Sequence, residues 1–288
     1  MMSDLNHDGK VEPSMELLAK AGANMARHLS RRVAKPQVRT PGVMPTVYAS
    51  DIGKECLRQT WFKAWHGHKF PSNIDGPTNW RFMHGDLLEE AVLYMLEQVG
   101  ADVQLRQHPV EQVLDGVRFS GRIDAVIEGV TVDVKTMSEY AFSKADPIAY
   151  PNVSDDPWGY GYQLAFYDSM LNGVGGTPHF LGIDKVHGDM KLLPLTRPYV
   201  LSLNAQLEAV VDAVGGGKMP RRVSSTPDKV GNVLHKNCQL CPFITNCWQG
   251  CGVKGLVYAD GIKWYEKINP SSKHRVPKVP LPDPTVQI

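Results

Sequence analysis

The alternation of apolar and polar positions divides the chain into helical and extended segments. Apolar residues recur at helical spacing in four stretches: Pro13 to Arg32, Trp80 to Val99, Gly159 to Leu171 and Tyr199 to Val214. A further helix is predicted to begin at Ser50, a suitable N-cap, and to carry Cys56, Trp61 and Phe62. β-branched and aromatic runs predict strands within Val103 to Val113, Val117 to Lys135, His179 to Val186 and Met190 to Leu195.

This order of elements predicts an α/β (α+β) fold, in which helices flank a small mixed central sheet. The chain has 288 residues, enough for one large domain with a substantial core. We expect an N-terminal helix and linker over residues 1–46, a main domain over 47–257 and a tail over 258–288. The tail has the proline content of a disordered segment.

Composition and charge exclude several classes of protein. Hydrophobic residues make up 42% of the chain and charged residues 21%, as in ordinary globular proteins. We find no apolar stretch of membrane-spanning length and no basic-then-apolar signal at Met1, so we expect a cytoplasmic location without membrane contact. The net charge of +1 excludes nucleic-acid binding through bulk positive charge, and any such binding needs local patches or bound metal.

The stretch GRIDAVIEGVTVDVKT predicts a hairpin that carries several charges among its valines and isoleucines. If Glu128-Gly129 forms a two-residue turn, Asp124 lies opposite Asp133, and directly opposed residues share one face of the sheet. Lys135 follows Asp133 by two positions and projects from the same face. The pattern therefore predicts two adjacent carboxylates and one ammonium group on a single patch of sheet.

Two opposed carboxylates destabilise a sheet unless something compensates their charge. Lys135 supplies part of the compensation. A divalent cation would supply the rest, since Mg²⁺ and Mn²⁺ prefer oxygen ligands and often bind one or two carboxylates together with a substrate phosphate. The alternative is a solvent-exposed hairpin face whose charges simply meet water, although the apolar flanks count against full exposure.

The hairpin resembles the core signature of the PD-(D/E)XK nuclease superfamily, which is an acid, a spacer and a second acid two residues before a lysine. Here these are Asp124 and the run Asp133-Val134-Lys135. The segments GRID, which ends at Asp124, and VDVKT resemble the RecB-type branch of that superfamily. Its additional histidine ligand matches His84 in the stretch RFMHGDLLEE. The resemblance implies a restriction-endonuclease-like core and a metal site for Mg²⁺ or Mn²⁺ held by His84, Asp124, Asp133 and the carbonyl of Val134.

The same resemblance assigns roles beyond the metal ligands. Lys135 would orient the attacking water and balance charge on the phosphoryl oxygens. Gln163 and Tyr167 match the branch's glutamine-x-x-x-tyrosine motif, and their spacing places both on one helix face. Taken alone, His84 is equally a satisfied structural histidine and Tyr167 a core aromatic. The nearby aromatics either stack on unpaired bases or pack in the core: Trp158, Tyr160 and Tyr162.

Four of the five cysteines lie in one short stretch near the end of the chain, which indicates metal binding in a reducing compartment. Three of them form a compact set: Cys238, Cys241 and Cys247. Sites with sulfur ligands usually need four donors. Cys251 would complete a local site typical of structural zinc, whereas Cys56 would draw the N-terminal helix onto the C-terminal segment. His235 is a third candidate.

The segments SDIGKECLRQTWF and CQLCPFITNC resemble the first and last cysteine segments of RecB-type nucleases that carry an iron–sulfur cluster. This resemblance implies a [4Fe–4S] cluster, structural in role, with four ligands: Cys56, Cys238, Cys241 and Cys247. Cys251 is then an extra thiol, and structural Zn²⁺ is the alternative cofactor. In size the chain is most similar to the CRISPR-associated exonucleases of the Cas-four type and their virus-encoded relatives.

The resemblance implies a metal-dependent deoxyribonuclease, an exonuclease acting on single-stranded DNA or DNA ends. A homo-oligomer, or partners from recombination or CRISPR adaptation, would accompany that function. The alternative is a non-catalytic DNA-binding or assembly protein that keeps the nuclease fold. It should show damaged catalytic positions, yet Asp124, Asp133 and Lys135 are all intact. A restriction-type endonuclease would need a base-reading element, and we find no helix-turn-helix or zinc-finger spacing.

Overall fold

The computed structural model describes residues 44–66, 76–152, 155–171, 175–227, 230–239, 241–258 and 261–268. The helix predicted for Pro13 to Arg32 and the Pro-rich stretch beyond Ile268 lie outside these residues. Within the described ranges, no helix combines the length and apolar character needed to cross a membrane.

The helices are bounded as follows: α1 Ala49–Ile52, α2 Leu57–His66, α3 Gly76–Gln98, α4 Glu139–Lys144, α5 Tyr160–Met170, α6 Arg197–Gly215, α7 Lys236–Gln239 and α8 Ile244–Cys247. The strands are bounded as follows: β1 Thr46–Tyr48, β2 Val103–Gln104, β3 His108–Leu114, β4 Val117–Ile123, β5 Ala125–Ile127, β6 Val130–Met137, β7 His179–Asp184, β8 Met190–Pro194, β9 Thr226–Pro227, β10 Gly231–Val233, β11 Lys254–Tyr258 and β12 Gly261–Ile268.

The strands form three sheets with the orders β1-β4-β3, β2-β5-β6-β7-β8 and β11-β12-β10-β9. The pairs β1–β4 and β6–β7 are parallel, and the remaining pairs are antiparallel. The five-stranded sheet is therefore mixed. This confirms the predicted α/β class, and the arrangement fits a restriction-endonuclease-like fold.

Strand β6 is covered on both faces, and its side chains alternate between the two covering helices. Val132 and Val134 belong to the apolar cluster that contains Leu93 of α3. On the opposite face, the Thr131 hydroxyl donates a hydrogen bond to Asp168 of α5 over 2.9 Å. The face toward α3 is therefore mostly apolar, whereas the face toward α5 carries Thr131 and Asp133, so β6 alternates apolar and polar residues although both of its faces are covered.

The predicted hairpin register is confirmed, because Ala125 pairs with Val132 across β5 and β6. Glu128 and Gly129 have φ values of 50° and 76°, the positive values that a type I′ turn requires. Asp124 departs from the prediction, since it lies in neither strand ladder. It occupies the one-residue step at which the chain leaves β4 in the three-stranded sheet and enters β5 in the five-stranded sheet.

The helix predicted to begin at Ser50 is two helices, α1 and α2, and Tyr48 rather than Ser50 is the N-cap of α1. The chain breaks at Gly53, whose backbone packs against the backbone of Gly159. A Cβ atom on Gly53 would lie 2.5 Å from the Cα of Gly159. The break is thus set by a contact with α5, and local helix signals do not reveal such a contact.

Strand β12, Gly261–Ile268, lies within the region that the sequence assigned to the Pro-rich tail from residue 258. It pairs with β11 along its first half, and Trp264 and Tyr265 are buried. The stretch GIKWYEKI carries its own β-type apolar pattern. The proline content of the following residues obscured that pattern, so the tail assignment was wrong for these positions.

Gly53→Ala is expected to lower the free energy of unfolding by about 2–3 kcal/mol, because backbone atoms of Gly159 cannot move aside as a side chain would. Urea denaturation measures the change. Gly216→Ala is the matched control: its Cβ would approach Asp212 no closer than 3.4 Å, at a φ of −70°. That control should change stability by less than about 1 kcal/mol, and an equal loss in both variants would contradict the packing argument.

Candidate active site

Asp124 projects from the step between β4 and β5 and is held against the backbone of β6. Its Oδ2 accepts a hydrogen bond from the Val134 N–H over 2.9 Å. Its Oδ1 accepts a longer bond, 3.5 Å, from the side-chain amide of Gln107. The predicted proximity of Asp124 to β6 is therefore achieved through a hydrogen bond between side chain and backbone.

Asp133 lies in β6 with a side chain that is 0% exposed. Its Oδ2 forms an ion pair with the ammonium group of Lys135, which projects from the same face as predicted. Its Oδ1 accepts a hydrogen bond from Gln163 over 3.3 Å. Lys135 also lies over the ring of Tyr160, with 5.1 Å between Nζ and the ring centroid.

Gln163 and Tyr167 share one face of α5, as their spacing predicts. The Gln163 amide donates to Asp133 and, over 3.2 Å, to the Tyr167 hydroxyl oxygen. That oxygen is also 3.4 Å from the backbone N–H of Arg122. The contact with β4 requires a glycine at position 121, because a Cβ there would lie 2.5 Å from a ring carbon of Tyr167.

Two further carboxylates, those of Glu89 and Asp86, reach the site from α3, and the sequence pattern did not reveal them. Gly85 lies close to β6, since a Cβ there would be 3.2 Å from the Thr136 hydroxyl. Glu89 follows Gly85 by one helical turn and so points the same way. The Gln107 amide donates to both Glu89 and Asp124, although the second contact is long. The spacing of Gly85 and Glu89, four positions apart in α3, was the sequence signal that could have indicated this approach of Glu89 to β6.

His84 lies in α3 and is half-buried. Glu89 follows His84 by five positions, which corresponds to about 140° around the helix axis. The residues that line the cavity described next include Glu89 and Asp86 of α3 but not His84. The structure therefore brings Glu89 to Asp124, and the assignment of His84 as a metal ligand stays a prediction.

A cavity of about 480 Å³ opens onto Asp124, Glu89 and Gln163, while Asp133 and Lys135 lie behind its wall. Its walls come from α1 with the preceding residue, from α3, from β4 and from α5. It is lined by Tyr48, Ala49, Ser50, Asp86, Glu89, Gln107, Ser120, Gly121, Arg122, Asp124, Gln163 and Tyr167. The cavity thus lies where the three-stranded and five-stranded sheets diverge, next to the step that carries Asp124.

Burial and mutual repulsion perturb the acids of this cluster. Burial, and then the charge of Asp133, raises the pKa of Asp124 to about 7. Burial, and then Asp124, raises the pKa of Glu89 to about 9. Burial likewise raises the pKa of Asp133. Burial alone would lower the pKa of Lys135, but Asp133 and Asp124 raise it above its ordinary value.

The acid cluster suits a divalent cation by its donor chemistry. Its carboxylates repel one another, and oxygen donors are the ligands that Mg²⁺ and Mn²⁺ prefer. In the described part of the chain, no three His, Cys, Asp or Glu side chains are arranged to hold a metal ion. Magnesium needs only one or two carboxylates when water and phosphate complete its coordination. Asp133, in β6, and Asp124, bonded to the backbone of β6, can supply them.

Four cysteines line a second, much smaller cavity of about 10 Å³: Cys56, Cys238, Cys241 and Cys247. Cys56 lies just before α2, and the other three lie on and around α7 and α8. Cys251 is exposed and does not line this cavity. The structure therefore brings Cys56, rather than Cys251, to the three clustered thiols.

The four thiols are set in apolar surroundings. Burial raises the pKa of Cys56, that of Cys238 to about 11 and that of Cys241 to about 12, and the neighbouring cysteines add to each increase. The rings of Phe62 and Phe243 stack beside them at 5.4 Å between centroids. Four sulfur donors are the donor set of zinc and iron–sulfur sites, but the described thiols are not arranged to hold a metal ion as they stand. A cavity of this volume admits about one water, so a cluster requires the lining to move outward.

Polar contacts reinforce the same junction between α2 and the C-terminal segment. Glu55 forms an ion pair with His235, with 3.2 Å between Oε1 and Nε2. Arg58 donates to the carbonyl of Pro220 over 3.1 Å. The start of α2 is thus held against the C-terminal segment, as expected if Cys56 belongs to the set. His235, which pairs with Glu55, does not line the cysteine cavity.

Comparisons with known proteins agree with this geometry at the level of the family. The sequence model of the PD-(D/E)XK nuclease superfamily matches residues 42–248. A search of curated proteins found no match. The chain resembles SSO0001 at 13% identity and a TM-score of 0.44, covering 82% of this chain and 98% of that one. It also resembles a Eubacterium rectale protein named provisionally as an exonuclease: 14% identity, TM-score 0.40, 74% and 90% coverage.

The raised carboxyl pKa values predict that the metal-free protein loses stability as pH rises. Unfolded Asp and Glu bind protons only below about pH 4, whereas folded Asp124 and Glu89 keep theirs to about 7 and 9. From about pH 4 up to these raised pKa values, the folded state therefore binds more protons than the unfolded state. The free energy of unfolding falls as the pH rises through that range. Glu89→Gln should stabilise the metal-free protein at pH 9 by about 1–3 kcal/mol, and by much less at pH 5.

Urea denaturation in the presence of a chelator, across pH 5 to 9, measures this effect. The matched control is Glu208→Gln, which alters an exposed glutamate on α6 and should leave the pH dependence unchanged. Identical pH profiles for Glu89→Gln and the unaltered protein would show that Glu89 does not titrate within the acid cluster.

Proposed function

The chain belongs to the PD-(D/E)XK nuclease superfamily, and on that premise we propose that it is a metal-dependent deoxyribonuclease whose active site is the acid cavity. The observation that carries the proposal is the ion pair between Asp133 and Lys135, with Asp124 bonded to the intervening Val134 N–H. These are the signature positions, and Asp124 among them lines the cavity.

Asp124 and Asp133 would hold the metal, together with the carbonyl of Val134. When bound, Mg²⁺ or Mn²⁺ polarises the scissile phosphate and lowers the pKa of the attacking water. The protein's own groups position the reactants. Gln163 fixes Asp133 by donating to its Oδ1, and Tyr167 fixes Gln163 against β4. Asp133 is thereby held by α5 before substrate arrives.

Lys135 acts through its charge rather than as a base. A general base must be deprotonated near the working pH, whereas the carboxylates around Lys135 raise its pKa above the ordinary value. Its ammonium group is therefore available to stabilise negative charge on the phosphoryl oxygens and to hold the attacking water by donating hydrogen bonds.

Glu89 and His84 compete for the role of the additional ligand on α3. The resemblance assigns that role to His84, but Glu89 is the α3 side chain linked to Asp124 through Gln107. Glu89 also lines the cavity. We therefore assign the α3 contribution to Glu89 and keep His84 as the alternative to be tested.

The substrate that we propose is DNA, either single-stranded or with free ends, cut as an exonuclease. The alternative is a DNA-binding or assembly protein that does not cleave DNA. The intact acids with raised pKa values argue against it, because repulsion between buried carboxylates contributes nothing to DNA binding. Recombination or CRISPR-adaptation partners and a homo-oligomer remain expectations drawn from the resemblance.

Asp133→Asn should lower the rate of DNA cleavage by at least about 100-fold, because it removes a charged ligand and the partner of Lys135. End-labelled single-stranded and duplex DNA, incubated with Mg²⁺ or Mn²⁺, provides the assay, and the position of the surviving label gives the polarity. Glu208→Gln, on the exposed face of α6, should cleave at the unaltered rate.

Glu89→Gln and His84→Ala, assayed side by side, separate the two ligand assignments. Loss of cleavage in Glu89→Gln, with His84→Ala near the unaltered rate, is the outcome we expect. The reverse result would restore His84 as the ligand. Absence of cleavage by the folded, unaltered protein at saturating metal would refute the nuclease proposal and leave the binding or assembly function.

We further propose that the cysteine cavity holds a [4Fe–4S] cluster in a structural role. The support is the convergence of Cys56, from before α2, with the three C-terminal thiols, while Cys251 lies outside. Bound metal would join segments 182 positions apart (238 − 56), a closure that restricts the unfolded chain. Zn²⁺ with the same four sulfurs is the alternative.

Anaerobically purified protein is expected to contain iron and acid-labile sulfide in equal amounts. Cys56→Ser should lose most of the metal and unfold at a lower temperature, because one of four ligands is gone. Cys251→Ser is the matched control and should retain the metal. Zinc in place of iron would favour the alternative cofactor, and loss of metal in Cys251→Ser but not in Cys56→Ser would overturn the ligand assignment.

A further inference from the structure

Trp158, which is exposed, and Lys54, which is half-buried, form an aromatic and basic pair at the junction of α1 and α5, two elements that line the acid cavity. Trp158 precedes α5 and is 48% exposed, although the Nζ of Lys54 lies 5.1 Å from the centroid of its ring. An ammonium group over an indole is the favoured form of a cation–π contact. A large ring that stays half in solvent while one side carries a cation retains surface on which a flat ligand can stack.

The pair is held in place by the backbone, not only by its own contact. Gly53 and Gly159, which directly adjoin Lys54 and Trp158 in the sequence, pack backbone against backbone. A Cβ on either glycine would lie within 2.6 Å of the other residue's main chain. Since neither position tolerates a side chain, α1 and α5 approach closely at this point. Lys54 and Trp158 are therefore fixed side by side.

The pair lies next to the proposed catalytic lysine. Tyr160 follows Trp158 by two residues, so their Cα atoms are at most about 7.6 Å apart. The Tyr160 ring in turn lies 5.1 Å from the Nζ of Lys135. On the other side, α1 ends just before Gly53 and contributes Ser50 to the cavity wall. The pair thus adjoins two segments that reach the site: α1, which contributes to the cavity wall, and the start of α5, where Tyr160 contacts Lys135.

A second pair of the same kind lies at the other end of α1. The Nζ of Lys63 is 5.6 Å from the ring centroid of Tyr48, and Tyr48 is both exposed and part of the cavity wall. Two aromatic rings, each with a lysine, therefore lie at the two ends of α1, and Lys63 also forms an ion pair with Asp51 over 2.6 Å. Alternation of ring surface and positive charge is the arrangement that binds an unpaired strand, by base stacking and phosphate contact.

We propose that Trp158 and Lys54 bind an unpaired nucleotide adjacent to the scissile phosphate, and that they thereby restrict the substrate to single-stranded nucleic acid. The indole stacks on the base, and the ammonium group contacts the neighbouring phosphate. A base inside a duplex is already stacked on both faces and cannot offer one to the indole. The inference rests on the proposed nuclease function, because that function places the phosphate at Lys135.

Binding measurements test the pair separately from cleavage. Fluorescence anisotropy would follow a short labelled single strand, and the blunt duplex of the same sequence, binding to full-length protein carrying Asp133→Asn so that neither is cut. Added Trp158→Ala should weaken single-strand binding about 5-fold or more, and duplex binding less than about twofold. Trp158→Phe should recover most of the loss, and Lys54→Ala should weaken single-strand binding in the same direction.

Tyr140→Ala is the matched control. Tyr140 is 74% exposed and its ring lies 5.9 Å from the Nζ of Lys144, so it presents a comparable ring and cation on α4, an element that does not line the cavity. It should bind both DNAs as the parent does. Equal losses for single strand and duplex, no loss in Trp158→Ala or Lys54→Ala, or a loss in Tyr140→Ala as large as in Trp158→Ala would each overturn the proposal.

The outcomes distinguish this inference from the proposed function. Cleavage by the unaltered protein without any single-strand defect in Trp158→Ala would refute the pair alone. A selective single-strand defect in a protein that does not cleave would refute the nuclease proposal and retain the pair as a binding site. Circular dichroism checks that each variant is folded, which is expected because Trp158 is half-exposed.

Discussion

The structure around the active site depends on one electrostatic constraint: several buried carboxylates share a single nearby ammonium group. Asp133, with no exposed side-chain surface, pairs with Lys135, while Asp124 and Glu89 approach from the strand step and from α3. Removing such charges from water costs several kcal/mol per ion, and the attraction of one lysine does not offset that cost for all of them. Packing of α3 and α5 onto opposite faces of β6 is what keeps the acids together.

That packing depends on backbone contacts which only glycine permits. Gly121 lets Tyr167 reach β4, and so anchors the hydrogen-bond chain through Gln163 to Asp133. Gly53 and Gly159 let α1 approach α5, which sets both the cavity wall and the position of Trp158. Positioning of the acids and of the proposed strand contact therefore rests on the same property, the absence of a Cβ atom at points of closest approach.

The parts of the site that follow from local rules were predictable from the sequence. Turn chemistry and strand alternation gave the hairpin register and the pairing of Asp133 with Lys135, and helical spacing gave the shared face of Gln163 and Tyr167. Features set by tertiary contacts were not predictable. Glu89 joins the acids because α3 packs on β6. Spacing alone made Cys251 the local fourth ligand and only the resemblance pointed to Cys56, whereas the fold places Cys56 in the cavity and Cys251 outside it.

The order of these groups along the chain has a consequence for synthesis. Every residue that lines the acid cavity lies between Tyr48 and Tyr167, whereas three of the four inward-facing cysteines come after Leu234. Chains emerge from the ribosome N-terminus first, and early segments begin to fold before late ones are made. All residues of the acid cavity are therefore synthesised before Cys56 gains the three thiols that line the second cavity with it, so any metal held by all four thiols can bind only after the acid-cavity segment is complete.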